Sequence, residues 1–219
     1  MLDALYPCPC VACDHPNGGP LCDACERSLA LRPRALKSPS LQAVWVLTAY
    51  TSHVGDAVAR AKISGDRRPL RVLGRAMADA ARPWGAAWFD AIVPCPSPAR
   101  RRARRGFGPG HVLAAAISES WGVPLRSSLA VAGGRRQSRL GAGDRAANLA
   151  ARLRLRQPPF GRVLLVDDVV TTGATLTTCA DLLAAAPSVE GVWALALCDV
   201  ARRVPPRVVT TSRTTAEAL

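Results

Sequence analysis

Two carboxylates and a turn of small residues, set at the end of one apolar run, mark the chemistry this chain could perform. Residues 163–176 read VLLVDDVVTTGATL. The apolar run 163–166 has the length and composition of a buried strand. Asp167 and Asp168 stand at its carboxyl end, and Thr171, Thr172, Gly173, Ala174 and Thr175 form a turn that opens a helix. In open α/β sheets ligands sit beyond the carboxyl ends of the strands. A helix N-terminus offers free backbone N–H groups and the positive end of a dipole. Gly173 and Ala174 let a phosphate come close to the backbone, and the threonine hydroxyls add donors, so the turn suits a phosphomonoester. The aspartates would repel that phosphate and suit the hydroxyls of a sugar instead. A phosphate and a diol one turn apart describe a ribose 5-phosphate. The alternative is a plain strand–turn–helix connection with an incidental acidic cap. No Gly-Lys-Ser/Thr follows, so this is not a Walker A loop.

A second constellation lies at the start of the chain. Five of the eight cysteines fall within the first 25 residues, and Cys10-x-x-Cys13 with Cys22-x-x-Cys25 form paired knuckles. Each knuckle directs two thiolates at one ion, and two knuckles complete a tetrahedron, the pattern of a structural Zn2+ ribbon. The segment is rich in Pro, Gly, Asp and Asn and has no core of its own, so the metal would supply its folding energy. Cys8 is a surplus thiol, and His15 is either a loop histidine or a substitute ligand. A redox CxxC is the weaker alternative, since two pairs argue for metal. Cys179 and Cys198 fall on apolar stretches and are expected to be buried.

The third feature is charge. The formal net charge is +13, and the only lysines are Lys37 and Lys62. Such a balance favours an anionic partner, either a polyphosphate ligand or nucleic acid. Arg100, Arg101, Arg102, Arg104 and Arg105 crowd into one loop between a strand end and a helix. They read as a solvated surface, as a lid whose cations close over a polyphosphate, or as a contact for DNA phosphates. The ten aromatic residues are scattered, without the stacking platform of a single-strand binder.

The elements that must position these groups follow from periodicity. Strands are expected over residues 41–50, 90–95, 125–131, 163–166 and 192–197, and helices over 54–63, 70–82, 110–121 and 176–186. Residues 97–110 read as an Arg/Gly loop and 133–148 as a polar segment. The alternation predicts an α/β fold with a mainly parallel sheet flanked by helices. Four regions are expected: a zinc-ribbon-like segment at 1–30, a linker at 31–40, the main domain at 41–200 and a loosely ordered tail at 201–219. No secretory signal and no membrane span are expected, which points to the cytoplasm.

The strand, acidic pair and Thr/Gly turn resemble the PRPP (phosphoribosyl diphosphate) motif of type I phosphoribosyltransferases. Three further segments, DAIVPCP with RRRARRGF, QSRLGAGDRAAN, and the cysteine cluster, resemble the ComF family, which includes the GntX-like proteins. The resemblance spans residues from about 5 to about 200 and implies a type I phosphoribosyltransferase fold. It implies that Asp167 and Asp168 bind the ribose hydroxyls and that Thr171 to Thr175 hold the 5-phosphate. It further implies that Pro94, Cys95, Pro96 and Ser97 face the pyrophosphate. Arg105, Gly106 and Phe107 match the family's Arg-Gly-Phe, and Gln137, Arg145 and Asn148 match its Gln…Arg…Asn pattern. Two positions depart from it: Gly108 and Pro109 stand where the family usually has Asn-Gln, and Cys95 stands between the prolines where Val is usual. The second departure reads as a packing choice.

The resemblance implies Mg2+ bound with PRPP, phosphoribosyl transfer assisted by Asp167, Asp168 and Arg105, and an association with competence for DNA uptake. Single-stranded DNA and DNA-uptake proteins are the further partners it implies. The alternative reading is a non-catalytic PRPP-sensing or single-stranded-DNA-binding accessory protein on the same fold. No residue identifies an acceptor.

Overall fold

Strand β2 (Ala43–Ala49), β3 (Ala91–Pro94), β6 (Gly161–Val170) and β7 (Val189–Asp199) are the apolar runs of the chain, and each needs a face covered on both sides. The computed structural model, which describes residues 8–16, 18–84, 86–132 and 151–201, joins them in one sheet. The order is β1-β2-β7-β6-β3, parallel throughout except for β1 (Arg32–Pro33), which pairs antiparallel with β2. A separate antiparallel ribbon joins β4 (Leu129–Val131) to β5 (Leu153–Leu155). The mainly parallel sheet flanked by helices is the architecture expected from the sequence. Gln137, Arg145 and Asn148, the polar segment around them and the tail beyond residue 201 lie outside the described residues.

Helices cover both faces. α2 (His53–Ser64), α3 (Arg68–Ala81) and α5 (Pro109–Trp121) pack on one side, in a core that includes Leu47, Leu73, Ile92, Leu113, Leu164 and Val166. α6 (Ala174–Ala184) packs on the other, against Val163, Leu165 and Ala194. Alternation along β6 therefore sends Leu164 and Val166 to one face and Val163 and Leu165 to the other. Among the described residues, no helix is long and apolar enough to cross a membrane.

Three local expectations change. The stretch read as a linker supplies β1, and its Leu36 packs against Gly173 of the phosphate-type turn. The strand expected over 125–131 is divided: Leu125 bridges to Ile92, and only 129–131 forms a strand, in the separate ribbon. The loop expected over 97–110 contains a helix, α4 (Ala99–Arg105). Arginine and alanine are strong helix formers, and Gly106, left-handed at φ 78°, ends the helix with its N–H on Arg102 O at 2.7 Å. Gly108 and Pro109, the departure from the family pattern, become the N-cap and first residue of α5, where a proline's missing N–H costs nothing.

Candidate functional site

The parallel register sets the site. β3 pairs with β6 so that Pro94 lies opposite Val166, and the Cys95 N–H donates to Val166 O at 2.8 Å. The loop Pro94, Cys95, Pro96 and Ser97 therefore leaves the sheet beside Asp167 and Asp168. The N-terminus of α5 closes on both strand ends. A methyl group at Gly110 would stand 3.3 Å from the carbonyl oxygens of Cys95 and Val166 and 3.7 Å from Asp167 Cα. Gly110→Ala is thus expected to push α5 outward and to lower stability by about 1–2 kcal/mol, read from the urea midpoint at constant m-value.

The acidic pair extends the strand rather than following it, since β6 runs to Val170. Alternation starts the two side chains on opposite faces of the strand, yet their carboxyl groups still interact with each other. Asp168 falls on the side of Leu164 and Val166, where Lys62 Nζ at the last turn of α2 pairs with its Oδ2. Asp167 falls on the side of Val163 and Leu165, and its Oδ1 accepts the Asp168 N–H at 2.9 Å. Burial, reinforced by the charge of Asp168, raises the Asp167 carboxyl well above the usual carboxylate range, with Lys62 opposing. Beyond the strand, Gly173 is left-handed at φ 83° and caps α6, while Thr171 and Thr172 are exposed and Ala174 and Thr175 half-buried. The turn thus presents the first N–H groups of an eleven-residue helix on the same edge of the sheet as the carboxylates.

The arginine cluster divides by its place on α4. Arg100, Arg101, Arg102 and Arg104 are exposed, whereas Arg105 turns inward and its Nε is buried. Burial presses its guanidinium toward the neutral form, with repulsion from Arg101 and Arg104 added and Asp168 opposing. The following Phe107 is buried beneath Arg67, whose guanidinium lies 5.4 Å from the ring and donates to Gly106 O at 2.6 Å. A cavity of about 310 Å³ opens between this turn and the strand loop, with Ser97, Arg67, Arg102, His111 and Ser127 in its wall. Lys62, Arg67, His111 and Ser127 were not singled out from the sequence. Each lies outside the motifs, and only the charge of Lys62 and Arg67 could have signalled them.

Cys95, Cys179 and Cys198 are all buried, as expected of apolar-type positions. Burial pushes the Cys198 thiol up to about 12. The N-terminal thiols behave differently. The Sγ atoms of Cys10, Cys13, Cys22 and Cys25 lie within 4.8 Å of one another and could hold a metal ion. A tetrahedral Zn–S length of about 2.3 Å would separate the sulfurs by about 3.8 Å, and Cys13 and Cys22 already stand 3.6 Å apart. Burial raises the Cys10 thiol, but N–H donors from Cys22, Cys13 and Ala12 outweigh it and bring the group down to about 6. Cys8 is exposed, and neither it nor His15 belongs to the cluster.

Against known proteins, no family model matches the chain. It is 31% identical over 171 residues to Competence protein F of Haemophilus influenzae, covering 73% of this chain and 75% of that protein. Among solved structures it is similar to orotate phosphoribosyltransferase from Aeropyrum pernix, with TM-score 0.38, 18% identity and coverage of 80% and 77%. It is similar also to purine phosphoribosyltransferase from Pyrococcus horikoshii, with TM-score 0.30, 16% identity and coverage of 68% and 92%.

Proposed function

This chain belongs to the Competence protein F (ComF) family, and from that premise we propose that it binds PRPP with Mg2+ and transfers its phosphoribosyl group in a process linked to DNA uptake. One observation carries the reading: the loop at the end of β3, the carboxylates near the end of β6 and the N-terminus of α6 meet on one edge of adjacent parallel strands. That edge offers the three kinds of contact PRPP requires. The turn Thr171 to Thr175 supplies N–H and hydroxyl donors to the 5-phosphate. Asp167 and Asp168 accept from the ribose hydroxyls. Pro94, Cys95, Pro96 and Ser97, with the cavity beside them and the cations Arg67 and Arg102, take the pyrophosphate.

In this reading the protein stabilises charge rather than performing covalent chemistry of its own. Positive charge developing at the ribose C1 faces carboxylates, and negative charge on departing pyrophosphate faces arginines on α4 and at the start of α3. Asp168 already carries Lys62 as its counter-ion. Mg2+ bound with the ligand would supply neutralisation of the pyrophosphate charge. Structural Zn2+ on Cys10, Cys13, Cys22 and Cys25 completes the assignment.

Titration of the purified protein with PRPP, with and without Mg2+, tests the donor half. Saturable binding that strengthens with Mg2+ is expected, and absence of any saturable binding sinks the proposal. Pyrophosphate release in the presence of a panel of nucleobases then separates a transferase from a binding module without turnover.

A further inference from the structure

Lys62 is a charged group at the site that the motif does not account for. It is one of two lysines in a chain dominated by arginine. It belongs to α2, on the far side of the sequence from β6, yet its side chain is 20% exposed and that of Asp168 14%. A lysine on the last turn of a surface helix is ordinarily left in water, and withdrawing it is unfavourable unless an anion compensates. Here the anion is an acid of the motif, and its Oδ2 is itself shielded from solvent.

The surroundings of the two acids differ. Asp168 is faced by Lys62 from α2, Arg105 from α4, Cys198 from β7, Cys95 from the loop after β3 and Asp167 on its own strand. The two cysteines are buried thiols pushed up by burial and so add no charge. Of the two cations, Lys62 is the one in contact. Among the described residues no cation is paired directly with Asp167, on which Lys62 acts only at longer range. The pair is therefore one carboxylate with a fixed counter-ion and one without.

We infer that Lys62 is a positioning residue of the donor site, which pairs directly with Asp168 and holds this acid in place as the acceptor for a ribose hydroxyl. The inference rests on the proposed ribose contact of Asp168. Two ties hold Lys62 in place. Gly65, left-handed at φ 78°, ends α2 one residue after Ser64, and Arg67 anchors the next turn to Gly106 O. The end of α2 is thereby fixed to the Arg-Gly-Phe turn at the edge of the site.

Removing the ammonium leaves a shielded carboxylate beside a second acid, and such a group takes up a proton more readily. A protonated Asp168 is the weaker acceptor. Lys62→Met is thus expected to bind PRPP about tenfold more weakly near neutral pH and to recover affinity as pH rises toward about 9. Lys62→Arg, which restores the cation, is expected to stay within about threefold of the parent. The second readout needs no ligand: the carboxyl carbon of Asp168, followed by NMR, is expected to titrate at higher pH in Lys62→Met than in the parent. Melting curves of both variants verify that they are folded.

Parental affinity in Lys62→Met at every pH overturns the inference. So does a uniform loss across pH with an unmoved Asp168 titration, which is the signature of mere packing. Should the parent itself fail to bind PRPP, the functional proposal falls, and the NMR comparison still decides whether Lys62 governs Asp168. An unmoved signal would then overturn the inference as well.

Discussion

The double variant Asp167→Asn, Asp168→Asn is expected to lose Mg2+-dependent PRPP binding by about 100-fold or more, measured calorimetrically at neutral pH. A hydrogen bond to a charged acceptor, as at Asp168, is worth about 1.5–3 kcal/mol and one to the less readily ionised Asp167 about 0.5–1.5 kcal/mol, together roughly two orders of magnitude in affinity. Asparagine keeps the size of aspartate and one acceptor oxygen, so the loss reports charge and not shape. Binding within about threefold of the parent would remove these residues from the site.

Stability should move differently in the two single variants, because the acids sit in different places. In the folded chain burial raises the Asp167 carboxyl, and Asp168 adds to the effect. The folded chain then holds a proton that the unfolded chain has already released. Stability from this group is complete at acid pH, below the unfolded value, and is lost as pH rises through the raised folded value. Asparagine has no such proton to lose, so Asp167→Asn should hold its melting temperature across a rise in pH that lowers the parent's. Asp168→Asn instead strands Lys62 Nζ without its anion and should melt below the parent. Parallel melting curves for all three proteins would contradict this division. An acid that costs stability while serving a ligand is a common bargain at functional sites.

How much of this was legible in the sequence depends on where each residue's partner lies. The motif was legible because its chemistry is contiguous: apolar run, two acids and the turn follow one another, and β6 and α6 fall close to where the periodicity put them. The sheet was legible because its strands are nearly unbroken apolar runs, as buried parallel strands must be. The cysteine knuckles were legible from spacing alone, and all four sulfurs converge. Helix α4 was misread because a run of arginines looks like a solvated loop. The helix-forming residues between Pro98 and a terminal Gly106 were a helix signal hidden under the charge. Lys62 was not legible at all. Its position on α2 looks like an ordinary exposed site, and its anion is supplied by a distant strand through the order of the sheet. The contact of Leu36 with Gly173 is hidden for the same reason, since nothing in LRPRALKSPS indicates that it returns to the start of α6.

Removing metal from the cysteine cluster is expected to have the largest effect on stability. Among its described residues the segment has one four-residue helix, α1 (Asp23–Glu26), and no apolar cluster of its own. Instead Cys10, Ala12 and Cys25 are buried in the same core as Leu47, Val54 and Ala61. Arg60 of α2 clamps the knuckle by donating to Val11 O at 3.2 Å and to Ala12 O at 2.9 Å. Without an ion, four sulfurs this close cannot all be thiolates. Burial raises the Cys25 thiol, and its neighbours raise it further. Metal binding must therefore expel protons, and the stabilisation it brings should shrink as pH falls. A strong chelator, or Cys25→Ser, is expected to lower the melting temperature by about 10 °C or more and to expose apolar surface to a reporter dye. Cys8→Ser should change nothing, because Cys8 is exposed and outside the cluster. About one zinc per chain is expected from metal analysis. A metal-free protein that melts identically with and without chelator would end the assignment. The consequence reaches the ligand as well. The same helix carries Arg60 to the knuckle and Lys62 to Asp168. Loosening the knuckle frees one end of that helix, so chelation should weaken PRPP binding in the parent and add less in Lys62→Met, where the link to Asp168 is already cut.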